Sequence, residues 1–502
     1  MTTYYVSVNG NNSNPGTQSR PFKNIQKGIS TSTNGDTVHV LAGTYYQTMA
    51  TRPVINKSIS VIGSGRSNTI IDGTNITSEW ESGWQGGLVE ITASNVTFSG
   101  FTVQNALPNS ANTTNPGYGP AGIIVYPVGT ALQNITIENN YVYNTWASGI
   151  KVYGNSPSML TTNFKIAYNE LYSVVCGGDP SIARSESLSI VDSGSFEICY
   201  NYVHHTGYTP TGYIVTGGEG IDLGLNINTS ITSSSVHHNY VYDTRSTGVY
   251  VDGGGTAQNV QIYQNITESI YAYYSGSLQR GGGFSIGPEQ EGTNLNITWN
   301  NNISYNNGPG MFICNCYVSG GHNTNLIYNV NIFYANDIDI SYSGSSNCMA
   351  TLSGVLIENN YAETIDSFPA GVTLSGNITN PTQVVNAFNY TYASLKNDII
   401  SQATGGAGTT LASIQIYPAT SHVNVSKTIQ LSATCKGTNN NKVTCPTLTW
   451  SSSNKSLATV NSAGLVKGVA AGNVSIVASA SGIISNMSAI TVSSRHQKLQ
   501  EQ

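Results

Sequence analysis

The chain has 502 residues, of which 19 are basic and 25 acidic, so only 9% of it is charged and the net charge is −6. Ordinary soluble proteins are about 25% charged, and a helical protein laced with salt bridges is therefore excluded. No Lys/Arg cluster is present, which argues against nucleic acid and anionic membrane surfaces as partners. With 53 Gly, 31 Tyr and 39% hydrophobic residues, the composition predicts an all-β protein.

Targeting signals are sparse in the sequence. No apolar run reaches the roughly 18 residues that span a bilayer, so membrane insertion is not expected. The first residues do not resemble a secretory signal. Sequons of the form Asn-x-Ser/Thr nevertheless fit a secreted, cell-surface glycoprotein. They include Asn11, Asn75, Asn134, Asn265 and Asn486.

An asparagine motif of the form Ile/Val-x-x-Asn-x-Val/Ile recurs along the chain. Successive asparagines at positions 140, 169, 201, 239 and 265 lie 29, 32, 38 and 26 residues apart, which is a solenoid period. A second element, Gly followed by an alternating strand, recurs as in Gly220-Ile-Asp-Leu and Gly248-Val-Tyr-Val. Together they predict a parallel β-solenoid in which the asparagines stack as a ladder at a tight bend.

With these repeats, the chain resembles the right-handed parallel β-helix proteins of the pectate-lyase-like superfamily. The N-terminal segment from Tyr4 to Tyr45 is similar to the opening of many secreted members. Within it, Phe22, Ile25 and Ile29 have helical spacing and would cap the open end of the solenoid. The resemblance covers residues 1–380 and implies an extracellular or cell-surface protein that acts on polysaccharide.

The C-terminal part has a different character. Residues 381–411 are predicted to form a linker that contains a short helix between Asn386 and Ala403. Residues 412–493 alternate as short strands and resemble the group 2 bacterial immunoglobulin-like domain, a β-sandwich that implies a spacer or an attachment to a cell surface or matrix. Residues 494–502 are expected to form a loose tail.

The seven cysteines fit no zinc-binding spacing. Cys435 and Cys445 lie close together in the C-terminal region and are predicted to form a disulfide. The number is odd, so at least one buried thiol is expected elsewhere. The remaining five are Cys176, Cys199, Cys314, Cys316 and Cys348.

A carboxylate cluster carries the predicted chemistry. Alternation places Asp222 and Asp252 on the outer face of neighbouring strands. If Asp222 aligns with Tyr250, the two aspartates lie roughly 8 Å apart at the backbone. That separation falls in the window of about 6.5–9.5 Å used by inverting glycoside hydrolases, with Asp222 as acid and Asp252 as base. Side-chain rotamers could move either carboxyl group by a few Å, so the retaining geometry also stays open. Glu219 and Glu289 could substitute, although each acid could also simply hold a turn.

Five further side chains are predicted to bind substrate on the same face. Three tyrosines could stack on sugar rings, although stacked tyrosines also stabilise solenoid faces without a ligand. A lysine and an arginine could hold polar groups. They are Tyr126, Tyr153, Tyr250, Lys151 and Arg280.

Two other functions remain open. A polysaccharide lyase would need Ca²⁺ or Arg to neutralise a uronate, and a base to remove the C5 proton. The acids Asp222, Asp252 and Glu219 could then hold Ca²⁺, and the candidate bases are Lys151, Arg184, Arg245 and Arg280. A non-catalytic adhesin, sheath or fibre protein could use the same solenoid as a scaffold, since the fold serves all three functions.

Two histidine pairs adjoin the ladder asparagines, His204 with His205 and His237 with His238. Adjacent residues of a strand point to opposite faces, so neither pair is expected to chelate a metal. No metal site is predicted, and Ca²⁺ is the one cofactor that the sequence leaves open.

Overall fold

The structure is a computed structural model, and it describes two compact units, residues 1–404 and 405–502. The descriptions below apply to the whole chain except residues 77–85, 108–119, 177–185, 208–217, 225–232, 253–254, 275–276, 289–291, 315–320, 344–350, 405–410, 438–441, 444–447, 481–482 and 495–502.

The first unit is a right-handed parallel β-helix with three long parallel sheets, as predicted. Sheet A has 13 strands: Thr3–Val6, Thr37–Val40, Ser60–Gly63, Val96–Ser99, Leu132–Glu138, Thr161–Ala167, Gly194–Cys199, Ser234–His237, Val260–Tyr263, Thr298–Asn300, Ile327–Asn329, Val355–Glu358 and Val372–Ser375. Sheet B has 10: Val54–Ile55, Gly87–Ile91, Ala121–Val125, Ile150–Tyr153, Leu188–Val191, Ile221–Gly224, Thr247–Asp252, Gly282–Gly287, Pro309–Cys314 and Ile338–Ser343. Sheet C has 10: Gly43–Tyr46, Thr69–Asp72, Thr102–Ala106, Tyr141–Thr145, Glu170–Tyr172, Tyr202–His204, Tyr240–Tyr242, Ile266–Glu268, Ile303–Tyr305 and Ile332–Tyr334.

Two smaller sheets complete the β-helix. A four-stranded parallel sheet lies between sheets B and A in the later coils, with strands Thr256–Gln258, Thr293–Leu295, His322–Thr324 and Thr351–Ser353. An antiparallel hairpin, Tyr271–Tyr274 and Ser277–Arg280, is inserted between sheets C and B. The hairpin lengthens one coil without interrupting the parallel stack.

The core of the β-helix is formed by aliphatic residues at alternate strand positions. In the strand Ile221–Gly224, Ile221 and Leu223 are completely buried, and in the next coil Val249 and Val251 are completely buried. Because the side-chain period of a strand is two, the residues between them point outward. Each coil buries its apolar face only against its neighbours, so the stack itself forms the core.

A ladder of buried asparagines marks the corner between sheets A and C. The side-chain oxygen of each asparagine accepts bonds of 2.9–3.1 Å from the backbone N–H and the side-chain amide of its counterpart in the preceding coil. This arrangement confirms the predicted ladder. Its members are Asn140, Asn169, Asn201, Asn239, Asn265, Asn302, Asn331, Asn360 and Asn377. The sequon at Asn265 is fully buried in the ladder.

The left-handed backbone at this corner belongs to the residue before each ladder asparagine. These preceding residues have φ between 52° and 59° in eight coils. A left-handed residue reverses the chain direction sharply, and the following asparagine then hydrogen-bonds the exposed backbone groups. The eight are Asn139, Tyr168, Tyr200, His238, Gln264, Asn301, Val330 and Asn359.

The N-terminal helix Ile25–Thr31 has the predicted capping position. Ile25 and Ile29 are 1% and 0% exposed, and they pack with Phe22 into the core of the β-helix. The helix contacts the first strand of sheet A and so covers apolar surface at that end of the stack.

A second helix, Pro381–Ala403, packs against sheet C. It begins earlier than the predicted segment from Asn386, because Asn380 caps it with a side-chain oxygen that accepts from the backbone N–H of Gln383 at 3.2 Å. Its Phe388 stacks against tyrosines of sheet C, with ring centroids 4.6 Å apart for Tyr334. The helix therefore belongs to the first compact unit.

The second unit is a small all-β domain with three sheets. Trp450 packs against its apolar core, as predicted. Cys435 is fully buried and disulfide-bonded, and its predicted partner Cys445 lies outside the described residues. The strands are Leu411–Tyr417, Thr420–Asn424, Thr428–Gln430, Ser432–Gly437, Lys442–Val443, Thr449–Ser452, Ala458–Val460, Leu465–Gly468, Gly472–Ala480, Ile483–Ile484 and Ser488–Ser493.

Among the residues that the structure describes, neither helix is long and apolar enough to cross a membrane.

Candidate active site

The outer face of sheet B brings together most of the acids that the sequence singled out. Asp222 pairs with Tyr250 in the next coil, and Gly224 pairs with Asp252. This is the register on which the predicted spacing depended. Asp252 thus lies one strand across from Asp222 and two residues along, which gives about 4.8 Å and 6.7 Å, or roughly 8 Å between backbone positions.

The strand that carries Asp222 begins at a glycine for a steric reason. A Cβ atom at Gly220 would lie 2.2 Å from Cγ1 of Val241 in sheet C and 2.5 Å from the carbonyl oxygen of Gly248. Only glycine allows the chain to enter sheet B this close to its neighbours. The close approach fixes the position of Glu219, which immediately precedes the glycine.

Asp222 is the most deeply buried of these acids, with 5% of its surface exposed. Burial raises its pKa well above the usual range, and the negative charges of Glu186, Asp252 and Glu219 raise it further. The positive charge of Lys151 acts in the opposite direction but does not cancel them. Asp222 therefore holds a proton at pH values where an ordinary aspartate has lost it.

Glu219 has a similar environment. Burial, and then the charge of Glu186, raise its pKa to about 7. Hydrogen bonds from the backbone N–H of Gly218 and the side chain of Ser246 oppose this rise. The pKa values of two neighbouring acids of this face are thus raised, which favours the protonated form that a general acid requires.

Glu186 is a member of the cluster that the sequence analysis missed. Its carboxylate accepts a hydrogen bond of 2.9 Å from the hydroxyl of Ser189, and Ser189 pairs with Asp222 across the strands. A signal was present in the sequence. Each glutamate stands two residues before the first core residue of its strand, Glu186 before Leu188 and Glu219 before Ile221. Because Leu188 pairs with Ile221, the two glutamates occupy equivalent positions in neighbouring coils.

Lys151 lies in the same outward column of sheet B as Asp222. It pairs with Ser189, which in turn pairs with Asp222, and its own surface is only 6% exposed. A buried ammonium group two coils from a cluster of acids offsets part of their charge. Lys151 is thus a basic residue that the structure brings into electrostatic contact with Asp222.

The three predicted aromatic subsites lie at separate points on this face. Tyr126 follows the strand Ala121–Val125 and donates a hydrogen bond of 3.2 Å to Glu90, which forms an ion pair with Arg52. Tyr153 is partly buried, and burial followed by the charge of Asp192 raises its pKa. Tyr250 is also partly buried and sits directly beside Asp222. The structure therefore brings Tyr250 closest to the acids.

The predicted cations other than Lys151 have different surroundings. Arg280 ends the inserted hairpin and forms an exposed ion pair of 3.1 Å with Asp337. Arg245 is 1% exposed and pairs with Asp243 at 3.3 Å. Arg184 and the predicted acid Glu289 lie outside the described residues.

The histidine pairs correct one prediction. His204 and His205 do not point to opposite faces, because their Nδ1 atoms are 2.8 Å apart. The same contact joins His237 and His238 at 2.9 Å. His205 and His238 have φ of 52°, and this left-handed backbone breaks the alternation on which the prediction rested.

The acids of sheet B offer the kind of donor that a calcium ion takes, but among the described residues no three of them have ligand atoms within 4.8 Å of one another. Glu186, Glu219, Asp222 and Asp252 repel one another and offer only oxygen atoms, which are the ligands that Ca²⁺ prefers. A cation among them would remove the repulsion that raises the pKa of Asp222.

Comparison with known proteins identifies the C-terminal unit. Residues 410–481 match the family described as Bacterial Ig-like domain (group 2). The C-terminal unit is a group 2 bacterial immunoglobulin-like domain. No curated protein matches the chain.

Similar solved structures cover the β-helix at low sequence identity. The GH136 lacto-N-biosidase from Eubacterium ramulus is 14% identical with a TM-score of 0.49, over 75% of this chain and 67% of that chain. Pectate lyase Pel9A is 18% identical with a TM-score of 0.42, over 76% and 79% of the two chains. A rhamnogalacturonan lyase is 14% identical with a TM-score of 0.43, over 76% and 88%.

Proposed function

We propose that the protein is an extracellular or cell-surface polysaccharide-degrading enzyme, and that it hydrolyses glycosidic bonds with inversion at the acids of sheet B. The observation that carries the proposal is the position of buried Asp222, whose pKa is raised, one strand across and two residues along from Asp252. The backbone separation of roughly 8 Å leaves room for a water molecule between the two carboxyl groups.

In this mechanism the two aspartates have distinct roles. Asp222 donates its proton to the oxygen of the leaving sugar, because burial and the neighbouring acids raise its pKa above the usual range. Asp252 accepts a proton from water, which attacks the anomeric carbon from the opposite face. Burial and then the negative charge of Glu186 favour the protonated form of Asp222, so Glu186 acts as a positioning residue.

Substrate would lie along the outer face of sheet B. Tyr250 and Tyr153 offer rings on which sugar faces can stack, and Lys151 offers a donor near the acids. Tyr126 and Arg280 would contact more distant sugar units. The immunoglobulin-like domain would serve attachment to a cell surface or matrix rather than catalysis.

The test is a panel of neutral and uronate polysaccharides, with and without EDTA, in which new reducing ends and the absorbance of unsaturated products are both followed. We expect reducing ends without that absorbance. Asp222→Asn and Asp252→Asn should each lower the rate by about 10²–10⁴-fold. Glu358→Gln, on sheet A, is the matched control and should leave the rate unchanged.

Product stereochemistry separates the proposal from its nearest alternative. Inversion gives a first product of the opposite anomeric configuration, which NMR detects before mutarotation. Retention would contradict the assignment of Asp252 as a base, since a retaining pair has carboxyl groups about 5–5.5 Å apart. Silence across the whole panel would favour a non-catalytic surface protein.

A second candidate is a Ca²⁺-dependent polysaccharide lyase. The specific observation in its favour is the position of Lys151 in the same column as an all-oxygen acid cluster. Lys151 would take the C5 proton while the acids hold Ca²⁺ against the uronate carboxylate. Unsaturated products that vanish with EDTA and in Lys151→Met would establish the lyase and exclude the hydrolase.

A further inference from the structure

A second cluster of chemically reactive side chains lies on the outer face of sheet A, away from the acids of sheet B. Cys199 pairs with His237 on the neighbouring strand, and Glu197 precedes Cys199 by two residues on the same face. The sulfur, an imidazole nitrogen and a carboxylate oxygen all lie within 4.8 Å of one another. The proposed glycosidic chemistry uses none of these three residues.

Two of the three side chains, those of Cys199 and His237, are buried, and that of Glu197 is exposed to solvent. Cys199 is 1% exposed and His237 is 8% exposed, so both are held in place by packing. Glu197 is open to solvent, with 41% of its side chain exposed. Beside it lies a cleft of about 460 Å³ that is lined by Lys165, Glu197 and Phe196, among others. The cleft therefore meets the cluster at Glu197.

Two contacts show how the donors are arranged without a cation. Nε2 of His237 lies 3.2 Å from one carboxylate oxygen of Glu197. The ammonium group of Lys165 lies 2.7 Å from the other oxygen. Lys165 thus supplies the positive charge on the open side of the cluster.

His238 orients the imidazole of His237. Their Nδ1 atoms are 2.9 Å apart, so a single proton is shared between them when both rings are neutral. If His237 carries that proton, its Nε2 is left with a lone pair directed at the space beside Glu197. A second partner that fixes the tautomer of a ligating histidine is a common feature of metal sites.

We propose that Glu197, Cys199 and His237 form a binding site for a divalent transition-metal ion of the zinc class. Thiolate, imidazole and carboxylate together are a donor set suited to Zn²⁺ and poorly suited to Ca²⁺ or Mg²⁺. Donor atoms bound to one tetrahedral Zn²⁺ lie about 3.5 Å apart. Side-chain rotations that move the three donor atoms by about 1 Å would therefore bring them to bonding distance of one ion. Water would fill the fourth position, toward the cleft.

Binding has a defined balance of charge and protons. The thiol of Cys199 releases one proton to solvent when its sulfur binds the ion. The carboxylate and the thiolate then neutralise the dication. His237 moves its proton from Nε2 to Nδ1, and His238 moves one from Nδ1 to Nε2, so the pair keeps its two protons. Lys165 leaves the carboxylate, which makes this ammonium group a competitor of the ion.

The test is a titration of the full-length protein with Co²⁺ and Zn²⁺, each alone. Co²⁺ bound to a thiolate gives a sulfur-to-metal charge-transfer absorption, and Zn²⁺ affinity is measured by competition with a chromophoric chelator. We expect one ion per chain, the charge-transfer band, and the release of about one proton per ion at neutral pH.

Variants make the result specific. Cys199→Ser should abolish the charge-transfer band, and His237→Ala should weaken binding by at least about tenfold. Lys165→Met should tighten binding by at least about tenfold, because it removes the competing charge. Cys176→Ser is the matched control, since Cys176 is the other buried free thiol among the described residues and lies beside Asn144. This control should bind as the wild type does.

Three outcomes would overturn the proposal. They are a Co²⁺ spectrum without the charge-transfer band, a band that survives in Cys199→Ser, or an affinity that is unchanged in Lys165→Met. Circular dichroism of each variant shows whether it is folded. Because Lys165→Met only removes a partly exposed cation, it remains informative even if His237→Ala fails to fold.

Discussion

The raised pKa of Glu219 predicts that the acid-bearing face of sheet B destabilises the protein at alkaline pH. The ordinary pKa of this carboxyl group is 4.5, and in the fold it is about 7. Between these values the folded protein keeps a proton that the unfolded chain has lost. Since the unfolded state then binds fewer protons, the free energy of unfolding falls as pH rises through this window and stays low above it.

The size of the effect follows from the two pKa values. Each pKa unit corresponds to about 1.4 kcal/mol, so the interval from 4.5 to about 7 amounts to about 3 kcal/mol. Partial exposure of Glu219 to solvent makes this an upper value. Glu219→Gln removes the charge, and it also lowers the pKa of Asp222, which acts in the same direction. The variant should therefore be more stable than the wild type by about 2–3 kcal/mol at about pH 8.5, with little difference at about pH 4.5.

Urea unfolding at a series of pH values measures this difference. The tyrosines and Trp299 of the β-helix core provide the fluorescence signal. Glu358→Gln, a change of the same chemistry on sheet A, is the control and should show no comparable dependence on pH. A Glu219→Gln effect that is constant from acid to alkaline pH would refute the electrostatic reasoning. A variant that is less stable at high pH would show that the ionised carboxylate has a favourable partner.

Three further predictions concern the framework. Asn201→Ala leaves several buried ladder groups unpaired and should lower the free energy of unfolding by about 3 kcal/mol. Asn163→Ala removes one side chain of an exposed pair and should lower it by less than about 0.5 kcal/mol. Equal losses would contradict the ladder's role. Phe388→Ala should expose the second helix to limited proteolysis and cost about 3 kcal/mol, unlike Tyr390→Ala at an 87% exposed position. Val330 is a β-branched residue with a left-handed backbone, φ of 56°, which strains the fold. Val330→Asn should therefore raise the free energy of unfolding by about 1 kcal/mol and raise the melting temperature with it; a lower melting temperature would argue against strain.

Much of the fold could be predicted because its signals are local and repeated. The period-two pattern around Ile221 and Val249 placed Asp222 beside Tyr250 in the observed register. One-residue slips would turn apolar side chains outward, so such patterns determine register strongly. The asparagine spacing likewise predicted the ladder.

The remaining features depend on backbone geometry that residue types do not reveal. His205 and His238 turn left-handed, and no rule of strand alternation applies to such residues. Arg280 belongs to an inserted hairpin, whose pairing is antiparallel in an otherwise parallel stack. Glu186 was overlooked because the strand that follows it, Leu188–Val191, has Ser189 where the next coil has Asp222, and so carries no acid to draw attention to it.

The corner between sheets A and C has a consequence for how this protein can change over evolution. In coil after coil two residues separate the two sheets there, as between Glu138 and Tyr141 or between Cys199 and Tyr202. The connections on either side of sheet B vary widely in length, from Tyr242 to Thr247 in one coil and from His204 to Ile221 in another. Most of the variation in connection length thus lies beside the acid-bearing face, although one coil has a longer connection between sheets A and C, from Gly63 to Thr69. Natural variation in such a chain would reshape the walls around the substrate while the opposite corner keeps every coil in step.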